Sequence, residues 1–234
     1  MLKAIIFDLD DTLYEERDYF RSGFEAVAYE LEHRAVGSTK EIVTLLEYFH
    51  HEESREGVFQ KLASKLGFPS PWIPDLVSIF RSHKPVIALT PDSREILPLL
   101  RKTYRIGCVT DGWAAVQRRK IQALDVEAYL DVVIVADEWG REYWKPHPFP
   151  LLKCCEQLEV SVETAIFVGD NPSRDMLGAH NANMLSIRIR RMNGYFSNTT
   201  VNQPSLSAHF EIHDLHELKS VLETIEKDGL KEPR

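Results

Sequence analysis

Short runs of β-branched and other apolar residues recur along the chain at residues 4–9, 104–110, 132–136, 165–169, 185–189 and 209–212. Each predicts a strand buried on both faces. Between them, residues 93–102, 114–123, 148–158, 173–182 and 215–226 read as helices. Alternation of this kind predicts an α/β fold, a doubly wound parallel sheet. One stretch breaks the pattern. From Glu15 to about Ala88 no strand is convincing, and apolar residues recur at helical spacing: Phe20, Phe24, Val27 and Leu31; Ile42, Leu45, Leu46 and Phe49; Phe59, Leu62 and Leu66; Trp72, Leu76 and Phe80. This predicts an inserted helical bundle that leaves after the first strand and returns near Thr90-Pro91-Asp92. An insertion at that point would sit over the crevice where ligands of such sheets bind. The 234 residues thus divide into a core, 1–14 with 90–234, and a smaller helical domain, 15–89.

Composition narrows the possible partners. No apolar run approaches the roughly 20 residues that span a bilayer, so no membrane association is expected. The N-terminal segment reaches an acidic cluster at once and reads as a first strand rather than a signal peptide. Three cysteines without disulfide or metal-ligand spacing suit buried thiols in a reducing cytoplasm. A net charge of −8 without a basic cluster argues against nucleic acid. An anionic small substrate would then need a local cation, either a metal ion or a placed lysine.

Four segments carry candidate chemistry, each at or just after a predicted strand. Asp8-Leu9-Asp10-Asp11-Thr12 crowds three acids at the end of an apolar strand. Carboxylates there are costly to bury without a cation or hydrogen bonds. Taken alone, the cluster would be read as a turn or helix cap. Val109-Thr110-Asp111-Gly112 ends a second strand with a hydroxyl and a glycine, where backbone amides can turn toward an anion, which makes Thr110, Asp111 and Gly112 candidates for a phosphate. Lys145-Pro146-His147-Pro148 supplies an ammonium just before a helix. Gly169-Asp170-Asn171-Pro172-Ser173-Arg174-Asp175 adds two acids suited to an oxygen-ligand Mg²⁺ site.

In that order the motifs resemble those of the haloacid dehalogenase-like hydrolase superfamily, and the resemblance covers nearly the whole chain. It implies a sheet order of 5-4-1-2-3 and identifies the helical insertion with the cap found after the first motif in one large subgroup. It also implies roles. Asp8 attacks phosphorus and forms an acyl phosphate. Asp10 serves as general acid and then as general base. Thr110 binds a phosphoryl oxygen, while Lys145 offsets charge on the nucleophile and the phosphate. Mg²⁺ is held by the Asp8 carboxylate, the Asp10 backbone carbonyl and Asp170, with Asp175 as ligand or support. Asp11 caps the turn, and Asn171, Ser173 and Arg174 shape the loop.

The activity so implied is a Mg²⁺-dependent phosphatase acting on a small phosphorylated metabolite. Relatives that displace halide or cleave carbon–phosphorus bonds are not expected to carry an acid two residues after the nucleophile, and Asp10 stands there. A sugar phosphomutase shares Asp10 and stays open. A receiver-type signalling domain would place its phosphoacceptor on a later strand, and a non-catalytic binding protein has no support while every motif residue is present. His50-His51-Glu52-Glu53 reads as a solvated helix face, and His147, between two prolines, as positional. Tyr14, Glu16, Arg17 and Tyr19 are candidates for contacting the leaving group.

Overall fold

The computed structural model describes residues 1–53 and 55–228. Six strands form one sheet: β1 (Ala4–Phe7), β2 (Arg105–Thr110), β3 (Val132–Val135), β4 (Ala165–Gly169), β5 (Leu185–Ile189) and β6 (Phe210–Ile212). All neighbouring pairs are parallel and the order is β3-β2-β1-β4-β5-β6. This is the five-strand order implied by the sequence, with β6 added beyond β5. β1 and β4 are buried along their whole length, as continuous apolar strands between two helical layers must be. From β1 the chain winds outward to β2 and β3, then crosses to β4 on the other side. That reversal creates the crevice at the carboxyl ends of β1 and its neighbours.

The helices are α1 (Glu16–His33), α2 (Thr39–Tyr48), α3 (Val58–Leu66), α4 (Ile73–Ser82), α5 (Pro91–Leu100), α6 (Ala114–Leu124), α7 (Phe149–Gln157), α8 (Leu177–Asn181) and α9 (Leu218–Asp228). Two compact units result. One comprises Met1–Glu16 and the chain from Ala88 onward; the other is Arg17–Ile87. In the first unit, Ile6, Val109, Ile134 and Phe167 from the sheet pack with Leu151, Cys154 and Met176 in a dry cluster. The second unit has its own core, in which Phe24, Val27, Leu31, Ile42, Leu46, Leu62 and Leu76 interlock. Among the described residues no helix is long and apolar enough to cross a membrane.

Two predicted helical segments differ from expectation. Residues 173–182 begin as a wide π-type turn, Pro172–Met176, before α8. The Asn171 carbonyl accepts from both Asp175 N–H at 2.8 Å and Met176 N–H at 3.3 Å, which widens the turn. Likewise α2 gives way to a π-helical segment, Phe49–Glu53. That turn brings His50 inside rather than onto a solvated face: it is 3% exposed, its ring 4.0 Å from that of Phe20.

Candidate active site

The first acidic segment leaves β1 while still paired to the sheet. Asp8 N–H donates to the Val168 carbonyl at 2.8 Å, and only then does the chain turn, with Leu13 N–H donating to the Leu9 carbonyl at 3.0 Å. Strand β1 therefore stops at Phe7 rather than Leu9. Asp11 takes the left-handed conformation, φ 52°, which short polar side chains tolerate. Its carboxylate pins the turn, accepting from Glu16 N–H at 2.8 Å, at the start of α1, and from Tyr195 N–H at 2.9 Å. Arg191 closes the same loop from outside by donating to the Thr12 carbonyl at 2.6 Å.

Asp8 is buried and hydrogen-bonded to the Lys145 ammonium. Lys145 lies 2.7 Å from Asp175 Oδ1 as well, and donates to the Val109 carbonyl at 3.3 Å. One ammonium is thus shared by two carboxylates inside the protein. Burial pushes the Asp8 carboxyl well above the usual range; Lys145 pulls it back, and repulsion from Asp175 and Asp10 adds to the rise. For Lys145, burial favours loss of the proton, but Asp175, Asp8 and Asp111 outweigh it and hold the ammonium charged. Asp111 steadies this lysine by accepting from its backbone N–H at 3.2 Å. Its other oxygen is buried without a hydrogen bond, 3.8 Å from Arg174, and burial raises this carboxyl too. The anion-facing group of Asp111 would therefore be its backbone amide rather than its carboxylate.

Asp175 is fixed by the turn it belongs to. Its Oδ2 accepts from Asp170 N–H at 3.2 Å and Asn171 N–H at 3.0 Å. A Cβ on Gly169 would come within 2.7 Å of that carboxylate, so only glycine allows the approach. Asn171 caps the following turn through Ser173 N–H at 3.0 Å and Arg174 N–H at 3.3 Å.

Asp10, two residues after Asp8, has a separate set of partners. Oδ1 accepts from the Tyr14 hydroxyl and from Lys120 Nζ at 2.7 Å, while Oδ2 accepts from Gln117 Nε2 at 2.9 Å. Burial pushes Asp10 up, yet Lys120 and the hydrogen bonds outweigh it and hold the carboxyl below its usual range. Gln117 Nε2 also donates to Thr110 Oγ1. Beside this amide, Gly112 turns the chain at φ 111°, with Gln117 Cδ 3.4 Å from where a Cβ would stand. The two ends of the site, a candidate proton-transfer group and a candidate phosphate anchor, are thereby joined through one side chain.

The residues fit a divalent cation. One oxygen each from Asp8, Asp170 and Asp175 lies within 4.8 Å of the others, and all three residues are buried. Among the described residues no lysine or arginine stands within 4.0 Å of the Asp170 carboxylate. Burial, then repulsion from Asp175 and Asp8, drives its carboxyl well above the usual range. A cation would offset that cost, and hard oxygen donors suit Mg²⁺-type ions. Asp175, engaged through both oxygens, is better placed to orient than to ligate, and Asp10 could offer only its backbone carbonyl.

A family model for haloacid dehalogenase-like hydrolases matches residues 5–189. The chain belongs to the haloacid dehalogenase-like hydrolases. It is 28% identical over 241 residues to the glyceraldehyde 3-phosphate phosphatase of Methanopyrus kandleri, covering 97% of this chain and all of that one. Among solved structures, a haloacid dehalogenase-like phosphatase from Thermococcus onnurineus is similar with a TM-score of 0.62 and 26% identity, over 94% of this chain and 98% of that one. The hydrolase YfnB of Bacillus subtilis, in a magnesium-bound form, gives a TM-score of 0.67 at 18% identity, over 94% and 98%.

In this hydrolase the structure brings together Asp8, Asp10, Thr110, Lys145, Asp170 and Asp175, with Asp111 and Gly112 alongside. Of the proposed leaving-group contacts, Tyr14 is instead fully buried against Asp10, and Tyr19 is buried in the helical unit against Phe80 and His83. Sequence reasoning missed Gln117 and Lys120, which read as ordinary polar positions of a helix. A signal was present: Gln117, Lys120, Ile121 and Leu124 share one helical stripe, and all four are buried.

Proposed function

We propose that the protein is a Mg²⁺-dependent phosphatase that hydrolyses a small phosphorylated metabolite through an aspartyl phosphate on Asp8. Asp8 attacks phosphorus, displacing the leaving oxygen; Asp10, which takes up a proton as the anionic substrate binds beside it, delivers that proton to the leaving oxygen. Asp10 then takes a proton from water as the acyl phosphate is hydrolysed. Lys145 neutralises charge on Asp8 and on the transferring group, and the Thr110 hydroxyl donates to a phosphoryl oxygen. The backbone amides of Asp111 and Gly112 add donors to the phosphoryl group. Asp8, Asp170 and the Asp10 carbonyl, with Asp175 in support, would hold Mg²⁺, which would supply Lewis-acid neutralisation of charge on the phosphoryl group. The division into a catalytic core, 1–14 with 90–234, and a helical cap, 15–89, belongs to the same reading; residues 229–234 lie outside the described residues. So does a cytoplasmic location, which suits three free, buried cysteines.

The observation that carries this reading is Asp10. Displacing a halide requires no proton donor, whereas an alkoxide leaving from phosphate does, and here a carboxyl two residues from the nucleophile is held by three donors. The name of the Methanopyrus kandleri relative makes glyceraldehyde 3-phosphate the first substrate to assay. A screen of sugar phosphates, nucleotides and phosphorylated acids with Mg²⁺ should release phosphate, and EDTA should abolish it. Turnover that survives thorough chelation, or halide release from 2-haloacids without phosphatase activity, would overturn the proposal.

A further inference from the structure

Helix α6 buries four side chains at the spacing of a core stripe, Gln117, Lys120, Ile121 and Leu124. The last two are the apolar residues such a stripe calls for. The first two are polar, and Lys120 is only 3% exposed and Gln117 1%. A buried ammonium or amide costs several kcal/mol unless it is paired. Both find partners in the site itself. Lys120 Nζ is 2.7 Å from Asp10 Oδ1, and Gln117 Nε2 is 2.9 Å from Asp10 Oδ2. The second hydrogen of the same amide goes to Thr110 Oγ1. The amide must face this way, since Oε1 turned to the Asp10 carboxylate would set two acceptors against each other.

We propose that Gln117 and Lys120 are positioning residues, through which α6 fixes the Asp10 side chain and aims the Thr110 hydroxyl. This rests on the phosphatase reading above. With its oxygen accepting from Gln117, the Thr110 hydroxyl keeps its own hydrogen for a phosphoryl oxygen. Tyr14 and Lys120 together occupy Asp10 Oδ1, and Gln117 takes one lone pair of Oδ2. The lone pair remaining on Oδ2 is where Asp10 can take up a proton and from which it can pass that proton to the leaving oxygen. Proton transfer is steep in distance and angle, and a displacement near 1 Å costs about 10²-fold. The helix that follows the second motif thereby governs the chemistry of the first.

The test compares wild type, Lys120→Met, Gln117→Leu, Asp10→Asn and the Asp10→Asn/Lys120→Met double variant on an alkyl phosphate and on p-nitrophenyl phosphate, with Mg²⁺. Lys120→Met and Gln117→Leu should lower kcat on the alkyl phosphate by about 10- to 100-fold. For Lys120→Met the loss should be several-fold smaller in single turnover of the aryl phosphate, whose leaving group departs without a proton, whereas Gln117→Leu, which also gives up its contact with Thr110, should slow both substrates. In the Asp10→Asn background, Lys120→Met should cost less than about 3-fold, because its effect runs through Asp10. Equal losses on both substrates for Lys120→Met, or costs that multiply in the double variant, would overturn the proposal. If Lys120→Met does not fold, Lys120→Gln, which keeps a donor, serves instead and should recover part of the alkyl activity. Crystal structures provide a readout independent of activity: Asp10 should leave its wild-type rotamer in Lys120→Met, and an unmoved Asp10 would count against positioning. Should wild type hydrolyse neither substrate, the phosphatase reading fails while the crystallographic comparison still decides whether α6 fixes Asp10.

Discussion

The ammonium of Lys145 lies between two buried carboxylates, Asp8 and Asp175, and a third acid, Asp170, lies close by with no lysine or arginine within 4.0 Å among the described residues. Such an arrangement is costly to fold and useful to chemistry, because it concentrates cation affinity at one point. Asp8→Asn removes the proposed nucleophile and should eliminate turnover of every phosphate ester. Asp10→Asn should slow alkyl phosphates by about 10²–10⁴-fold while sparing the first step with aryl phosphates. Assays of both variants on both substrate types check this, and equal losses in single turnover would contradict it. Gly169→Ala offers a structural counterpart. The added methyl would meet the Asp175 carboxylate at 2.7 Å, so the loop must shift, and both activity and Mg²⁺ affinity should fall. Isothermal titration would register the second effect separately from the first.

At the scale of elements, the sequence was informative where one period dominates. Runs such as Ala4-Ile5-Ile6-Phe7 and Val132-Val133-Ile134-Val135 admit little but a strand, and all six strands lie where apolar continuity put them, although the edge strands β3 and β6 are only partly buried. Asp8, Thr110 and Asp170 were legible because they sit at or just past strand ends, where the backbone fixes their place, while Lys145 follows β3 only after two short turns. Lys120 and Gln117 were not, because burial of a helix position depends on which face meets the sheet, and a lysine in mid-helix usually faces water. The π-helical turns were equally hidden, since they arise from local hydrogen-bond competition rather than from periodicity. One of them has a measurable consequence. Burial, reinforced by Arg55 and His51, lowers the His50 pKa from 6.5 to about 3. Between those values the unfolded chain binds a proton that the folded chain refuses, so this histidine's contribution to stability is full above 6.5 and declines as pH falls. His50→Leu should therefore gain on wild type by up to about 1.4 kcal/mol per pH unit below 6.5. Thermal melts at several pH values check it, and parallel stability curves would refute it.

For the molecule as a whole, the carboxylate cluster links metal binding to folding. Without Mg²⁺, Asp170→Asn should be more stable than wild type, because it removes one of three mutually repelling buried acids. With Mg²⁺ near 100 times its dissociation constant, wild type should gain about 2.7 kcal/mol, or several degrees in Tm, and the variant little. Scanning calorimetry with and without Mg²⁺ checks both halves of that crossover. The two compact units each carry their own core, so a loss of activity in these site variants can be separated from unfolding by the same scans. If phosphate passes through Asp8, the adduct can be trapped. Asp10→Asn, mixed with p-nitrophenyl phosphate and Mg²⁺ and quenched in acid within milliseconds, should release a burst of p-nitrophenol and carry one phosphoryl group on the peptide containing Asp8, located by mass spectrometry. A burst with no adduct, or a phosphoryl group on any other residue, would contradict the mechanism.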